Sequence, residues 1–162
     1  EGEIRLASSD DLLNWVPGPV VLKTRSEKFD SALVEAGPPA VMTDHGIVLI
    51  YNGKNAARNG DNQLKSGAYS GGQALFDSSN PTQLLARTDT PFYQPEKDYE
   101  VTGQYGAGTT FLEGLVAFRG QWLLYYGCAD SYVAVAQGAV QDDKHAKTSG
   151  ETRSPVVMTG NR

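Results

Sequence analysis

The sequence predicts an all-β chain assembled from repeated blades of a β-propeller, and three observations predict it. Helical periodicity is nearly absent. Short β-rich runs recur instead, separated by clusters of Gly, Pro, Asn, Asp and Ser. Two of these runs share one form, GIVLIYNG (Gly46 to Gly53) and GQWLLYYG (Gly120 to Gly127): glycine, four mainly apolar residues, tyrosine, one variable position, glycine, at an offset of 74 residues. A second pair, RLASSDDLLNW (Arg5 to Trp15) and ALFDSSNPTQLLAR (Ala74 to Arg87), sets a strand before a Ser-Ser-Asp/Asn turn at an offset of 70. Both offsets describe one module of several short antiparallel strands, which is the signature of a propeller blade.

The elements follow in chain order. Glu3-Ile4-Arg5-Leu6 opens as a strand, so the chain starts inside the repeat. Glu35 stands just ahead of Gly37-Pro38-Pro39 and a hydrophobic strand that ends in Gly46–Tyr51. KSGAYSGG (Lys65 to Gly72) lacks the ending of a phosphate loop and precedes a strand, Gln73–Phe76, so it reads as a connecting loop. TFLEGLVAFRG and WLLYYGCAD form the strands of the next repeat. After about Ala136 the pattern fades into a polar segment short of aromatics, in which Pro155–Met158 is a candidate late strand. This divides the chain into a partial propeller, residues 1–137, and a polar tail, 138–162. Two full repeats and the start of a third are fewer than the four or more blades that close a ring. The expectation is therefore a piece of a longer protein with exposed blade faces and unpaired edges, and self-association as the alternative way to cover them.

Composition excludes several classes of function. The 162 residues are 40% hydrophobic and 20% charged, with a net charge of −5, which argues against binding a polyphosphate such as a nucleic acid. The longest apolar run is far short of the roughly 18 residues that span a bilayer, so no membrane partner is expected. The first ten residues lack the basic start and apolar run of a secretory signal, and the compartment stays open. One cysteine, Cys128, rules out an internal disulfide and reads as a small buried thiol. No HExxH, CxxC or EF-hand pattern is present, so neither a metal nor a cofactor is assigned.

Chemistry in a propeller sits where the innermost strands of the blades line a central funnel. Glu35 precedes one such strand and Glu113 the equivalent strand of the next repeat, so the two acids are the candidate catalytic pair. Two convergent carboxylates suit glycoside chemistry, one group protonating the leaving oxygen and another activating water or attacking carbon. With 19 Asp and Glu in the chain, two near apolar strands also arise by chance. Tyr51, Tyr105, Tyr125, Tyr126 and Trp122 offer faces for sugar rings, though alternation commits at least half of them to the core between blades. Asn52, Lys54, Asn55 and Asp130 cluster just past strand ends, where hydroxyl-binding groups would serve. Each alone is more often a turn residue. The candidate substrate-binding set is thus Asn52, Lys54, Asn55, Tyr105, Tyr126 and Asp130.

Three stretches, EAGPPAVMTDHGIVLIYNGKN, GGQALFDSSNPTQLLARTDTPFYQPEKDYE and FLEGLVAFRGQWLLYYGCADS, resemble the C-terminal half of glycoside hydrolase family 130, the β-mannoside phosphorylases and β-1,2-mannosidases. The Gly-Pro-Pro before a strand, the DxxNPTxxLxR turn and the YYGxAD ending carry the resemblance over Arg5 to Ala136. It implies a five-bladed β-propeller acting on β-mannosides by an inverting route, with this chain supplying the C-terminal two to three blades. Phosphorylase members resemble KxGxGPP and IYHG at two places where this chain has Leu33, Glu35 and Asn52. Two cationic contacts for phosphate are thereby replaced, and a carboxylate has arrived. The chain looks like the hydrolase branch, with Glu35 or Glu113 taking a proton from attacking water and Asp130 matching the ligand-contacting aspartate of YYGxAD. The resemblance places the proton donor in upstream blades, so the 162-residue chain alone is expected to be inactive. A phosphorylase and a non-catalytic sugar-binding propeller are the competing readings.

Overall fold

The computed structural model describes residues 2–139. Its strands are β1 (Ile4–Ser8), β2 (Val16–Leu22), β3 (Leu33–Ala36), β4 (Val41–Thr43), β5 (Gly46–Lys54), β6 (Tyr69–Phe76), β7 (Leu84–Arg87), β8 (Thr110–Phe118), β9 (Gln121–Cys128) and β10 (Tyr132–Ala139), and the helix α1 spans Asp98–Val101. They form three antiparallel sheets: β1-β2, a five-stranded sheet ordered β3-β5-β6-β7 with β4 also on β5, and β8-β9-β10. β3 and β4 pair with opposite ends of β5, Leu33 with Lys54 and Thr43 with Gly46, so they are one inner strand interrupted at Gly37–Ala40. The middle sheet is a complete blade, flanked by the outer hairpin of one blade and the first three strands of another. β10 continues to Ala139, past the expected end of the propeller at 137, and the Pro155–Met158 strand lies outside the described residues.

The repeat works as the sequence implies. Both opening glycines, Gly46 (φ 132°) and Gly120 (φ 77°), sit in the left-handed half of backbone space, where a side chain is strained. Arg119 (φ 51°) and Gly120 are the only residues between β8 and β9, and their paired positive φ values give the primed turn whose twist matches a hairpin. Each Ser-Ser turn is held by an aspartate, but at non-equivalent places, Asp11 lying two residues after Ser9 and Asp77 just before Ser78. Asp11 Oδ1 accepts the backbone N–H groups of Leu13 and Asn14, and Asp77 Oδ1 accepts those of Ser79 and Asn80. Each short aspartate replaces a strand partner that the turning backbone has lost.

Alternation on β5 explains how three sheets share two cores. Tyr51 points to one face with Leu22, Phe29, Val34, Ala74 and Phe76, whereas Ile50 points to the other with Tyr93, Leu112, Leu124, Tyr126 and Cys128. Close backbone packing follows from small residues. A Cβ on Gly72 would overlap the Tyr51 ring, and one on Gly37 would lie 2.9 Å from the Ile50 carbonyl oxygen and 3.0 Å from that of Leu112. Gly72→Ala is expected to cost about 1–3 kcal/mol, because the buried tyrosine has no room to shift. Urea unfolding of the complete protein checks this, and an unchanged midpoint would contradict the packing described.

Beyond these cores, apolar side chains on one face of the third sheet meet solvent: Val116, Phe118, Tyr125, Val133 and Val135. The expected uncovered blade face is therefore present.

Candidate active site

Two inner strands meet at one point. Gly37 packs against the Leu112 carbonyl, and the Asn52 side chain closes the same gap, accepting the Leu112 N–H at 2.7 Å and donating to its carbonyl at 3.0 Å. Glu35 lies two positions before Gly37, directly opposite Asn52 on β5. Glu113 follows Leu112 and occupies a β-bulge, the register slipping between Leu112 and Gly114. A bulge re-aims the side chain at the irregularity. The candidate acids thus flank one inter-blade junction, Glu35 half-buried and Glu113 exposed.

On the same face of the β3–β5 ladder as Glu35 is Lys54. Its ammonium lies 5.2 Å from the Tyr69 ring centre and 5.7 Å from that of Tyr105. The two rings meet edge to face at 5.8 Å, and Tyr105 donates its hydroxyl to the Gly67 carbonyl at 2.9 Å. A hydrogen bond to Tyr105 raises the Lys54 pKa, outweighing partial burial. Burial first, and then the neighbouring Glu35 charge, raise that of the Tyr69 phenol, while Lys54 opposes them. Glu35, Lys54, Tyr69 and Tyr105 therefore form one cluster. The sequence reading removed two cations from this region; the structure shows that one cation, Lys54, remains on the face that carries Glu35.

Three candidate sugar contacts are corrected. Asn52 is fully buried and spends its amide on Leu112. Asn55 is buried and ties the 56–65 loop together, donating to the carbonyls of Asp61, Leu64 and Lys65 and accepting the Asp61 N–H. Tyr126 is buried with its hydroxyl donated to Glu100 Oε1 at 2.8 Å and its ring edge-on to Tyr93 at 5.0 Å. Additional chain can only bury these further. Asp130 is exposed at φ 53° in the β9–β10 turn. That turn packs on the Tyr105 loop, with the Tyr105 N–H donating to the Ala129 carbonyl at 3.1 Å. Trp122 lines an apolar groove with Pro39, Val41, Val48, Ile50 and Leu115. Tyr51 belongs to the core, and Tyr125 is exposed.

Two buried carboxylates escaped the sequence reading. Asp30 receives hydrogen bonds from Arg25 at 2.8 Å, the Tyr51 hydroxyl at 2.8 Å and Arg87. Glu100 accepts the Glu96 and Lys97 N–H groups as well as Tyr126. The available signal was Arg87, a charge closing the apolar run LLAR, which needs a counter-ion if that strand packs. Among the described residues no group of three or more His, Cys, Asp or Glu is arranged to hold a metal ion.

Residues 1–142 match the family model Glyco_hydro_130, described as beta-1,4-mannooligosaccharide phosphorylase. The chain belongs to glycoside hydrolase family 130. Among curated members, a 1,2-beta-oligomannan phosphorylase of Thermoanaerobacter sp. (strain X514) is 32% identical over 88% of this chain and 45% of its own length. A solved structure described as a putative glycosidase from Bacteroides thetaiotaomicron VPI-5482 is 52% identical with a TM-score of 0.82, covering 84% of this chain and 41% of that one. A third, presented as showing that this family of mannoside phosphorylases contains glycoside hydrolases that target β-1,2 mannosidic linkages in Candida mannan, is 46% identical with a TM-score of 0.82. It covers 85% of this chain and 40% of that one. The family 130 chain thus spans less than half the length of these relatives, and its β-propeller blades are part of their domain.

Proposed function

We propose that this chain is part of an inverting β-mannosidase that hydrolyses β-1,2-linked manno-oligosaccharides. The observation that carries the reading is the ladder β3–β5, where the three departures from the phosphorylase pattern are neighbours: Leu33 pairs with Lys54, and Glu35 with Asn52. A carboxylate stands where phosphate would approach, and the asparagine beside it is sealed against Leu112. An inorganic dianion would be repelled by Glu35, whereas a water molecule would find there a group able to take its proton. In the step, water oxygen bonds to the anomeric carbon as the bond to the leaving oxygen breaks. The water proton passes to a carboxylate of this chain, and the leaving oxygen takes its proton from a donor in the part of the protein beyond this chain. Glu35 is the base, and Glu113 orients the water. The greater similarity to structures described as glycosidases supports this branch.

Phosphorolysis is the second reading, favoured by the names of the curated relatives and by the Lys54 cation on the face that carries Glu35. One experiment separates the two. The complete protein is given β-1,2-mannobiose with and without inorganic phosphate, and products are resolved by chromatography. Free mannose at an unchanged rate in both arms is expected; mannose 1-phosphate formed only with phosphate would reverse the assignment. The isolated 162-residue chain is expected to release neither product.

A further inference from the structure

We propose that Tyr69 is a positioning residue of this site, which together with Tyr105 forms a cradle that holds the Lys54 ammonium on the face that carries Glu35 and presents it to a substrate hydroxyl. The inference deepens the glycosidase reading and rests on it for the identity of the substrate. It begins with KSGAYSGG, which the sequence shows only as a connecting loop. In the structure Tyr69 opens β6 at the junction of two blades. Its N–H donates to the Gly108 carbonyl at 3.0 Å, its carbonyl accepts the Thr110 hydroxyl at 3.3 Å, and it bridges to Thr109. The ring is wedged edge-on between Tyr105 at 5.8 Å and Phe111 at 5.6 Å.

A lysine has a flexible four-carbon stem and in water samples many rotamers. Here the ammonium is held by the faces of two tyrosines from different segments, Tyr69 on β6 and Tyr105 on the loop before β8. Attraction to the electron-rich ring faces favours the charged form and limits the stem to few arrangements. The hydrogen bond to Tyr105 works in the same direction. Tyr105 is itself anchored to Gly67, so the cradle is braced from both blades. All four members, Glu35, Lys54, Tyr69 and Tyr105, are half-buried, which leaves the cluster open on one side. A preorganised cation at that opening donates hydrogen bonds to a sugar oxygen without first being ordered.

The test has two arms, both on the complete protein. In the first, lysines are reductively methylated with carbon-13 and the Lys54 signal, assigned by its absence in Lys54→Arg, is titrated by NMR without any sugar. Tyr69→Leu and Tyr105→Phe are each expected to lower its pKa; an unmoved titration in both variants overturns the cradle. In the second arm, KM for β-1,2-mannobiose is measured for Tyr69→Leu, Lys54→Met and the double variant. Each single change is expected to raise KM by roughly tenfold, the weight of a charged hydrogen bond. The double variant is expected to be no worse than Lys54→Met, because Tyr69 acts through the lysine. Multiplying effects would make Tyr69 a purely structural residue and overturn the proposal. The first arm needs no turnover, so absence of mannosidase activity would refute the glycosidase reading while the cradle is still judged.

Discussion

Glu35→Gln in the complete protein is expected to lower kcat for β-1,2-mannobiose by about 10²–10⁴-fold, the range a positioned acid–base group contributes. Binding should persist, since the amide keeps the shape and hydrogen-bonding reach of the acid and loses only its basicity. The ladder makes this residue, rather than Glu113, the one with the larger loss. Glu35 is half-buried opposite Asn52, and Asn52 is locked to the Leu112 backbone, so the carboxylate sits on a rigid element. Glu113 rides on an exposed bulge beyond Leu112, where an orienting role needs less restraint. Glu113→Gln is therefore expected to lower kcat less. Steady-state kinetics with calorimetric binding of mannobiose decides the matter, and a Glu35→Gln enzyme with native kcat would remove Glu35 from the reaction.

The fold was readable because its signals are local. A repeated glycine–tyrosine–glycine run and paired Ser-Ser turns need only nearest neighbours, and those features reappear as Gly46 and Gly120 at positive φ and as two aspartate-held turns, although Asp11 follows its Ser-Ser pair and Asp77 precedes its own. The candidate site was only half readable, because a strand-end position does not reveal which partner is across the gap. Asn52, Asn55 and Tyr126 are polar residues near strand ends, yet each has its polar group consumed by backbone or carboxylate partners that lie far along the chain, or in an adjacent loop. Asn52 and Leu112 are 60 residues apart. Tyr69 was missed for the converse reason. Surrounded by small residues in a glycine-rich segment, it gives no periodic signal, and its meaning comes from Lys54 and Tyr105, contributed by other elements.

The same limit hid Asp30, whose replacement by alanine should cause the largest loss of stability. Its carboxylate is fully buried and joins three elements: the loop before β3 through Arg25, β5 through Tyr51, and β7 through Arg87. Removing one member of a buried ion network leaves the remaining charges without compensation, which costs about 3–5 kcal/mol. Arg87 suffers most. It is largely buried, stacks on Tyr51 with its guanidinium carbon 4.8 Å from the ring centre, and among the described residues would keep the Lys23 carbonyl and the Tyr51 hydroxyl as partners. Arg25 loses less because Asp89 and the Thr88 carbonyl still receive it near the surface. Tyr51 loses its acceptor, although burial and the Asp30 charge now raise its phenol pKa, and it stays neutral either way. Urea unfolding of the complete protein should show Asp30→Ala well below the native midpoint, and Asp30→Leu combined with Arg87→Met should recover part of the loss, since two apolar groups leave no orphaned charge between them. If the double variant fell further than Asp30→Ala alone, the pair would be contributing net stability rather than specifying how the outer strand docks.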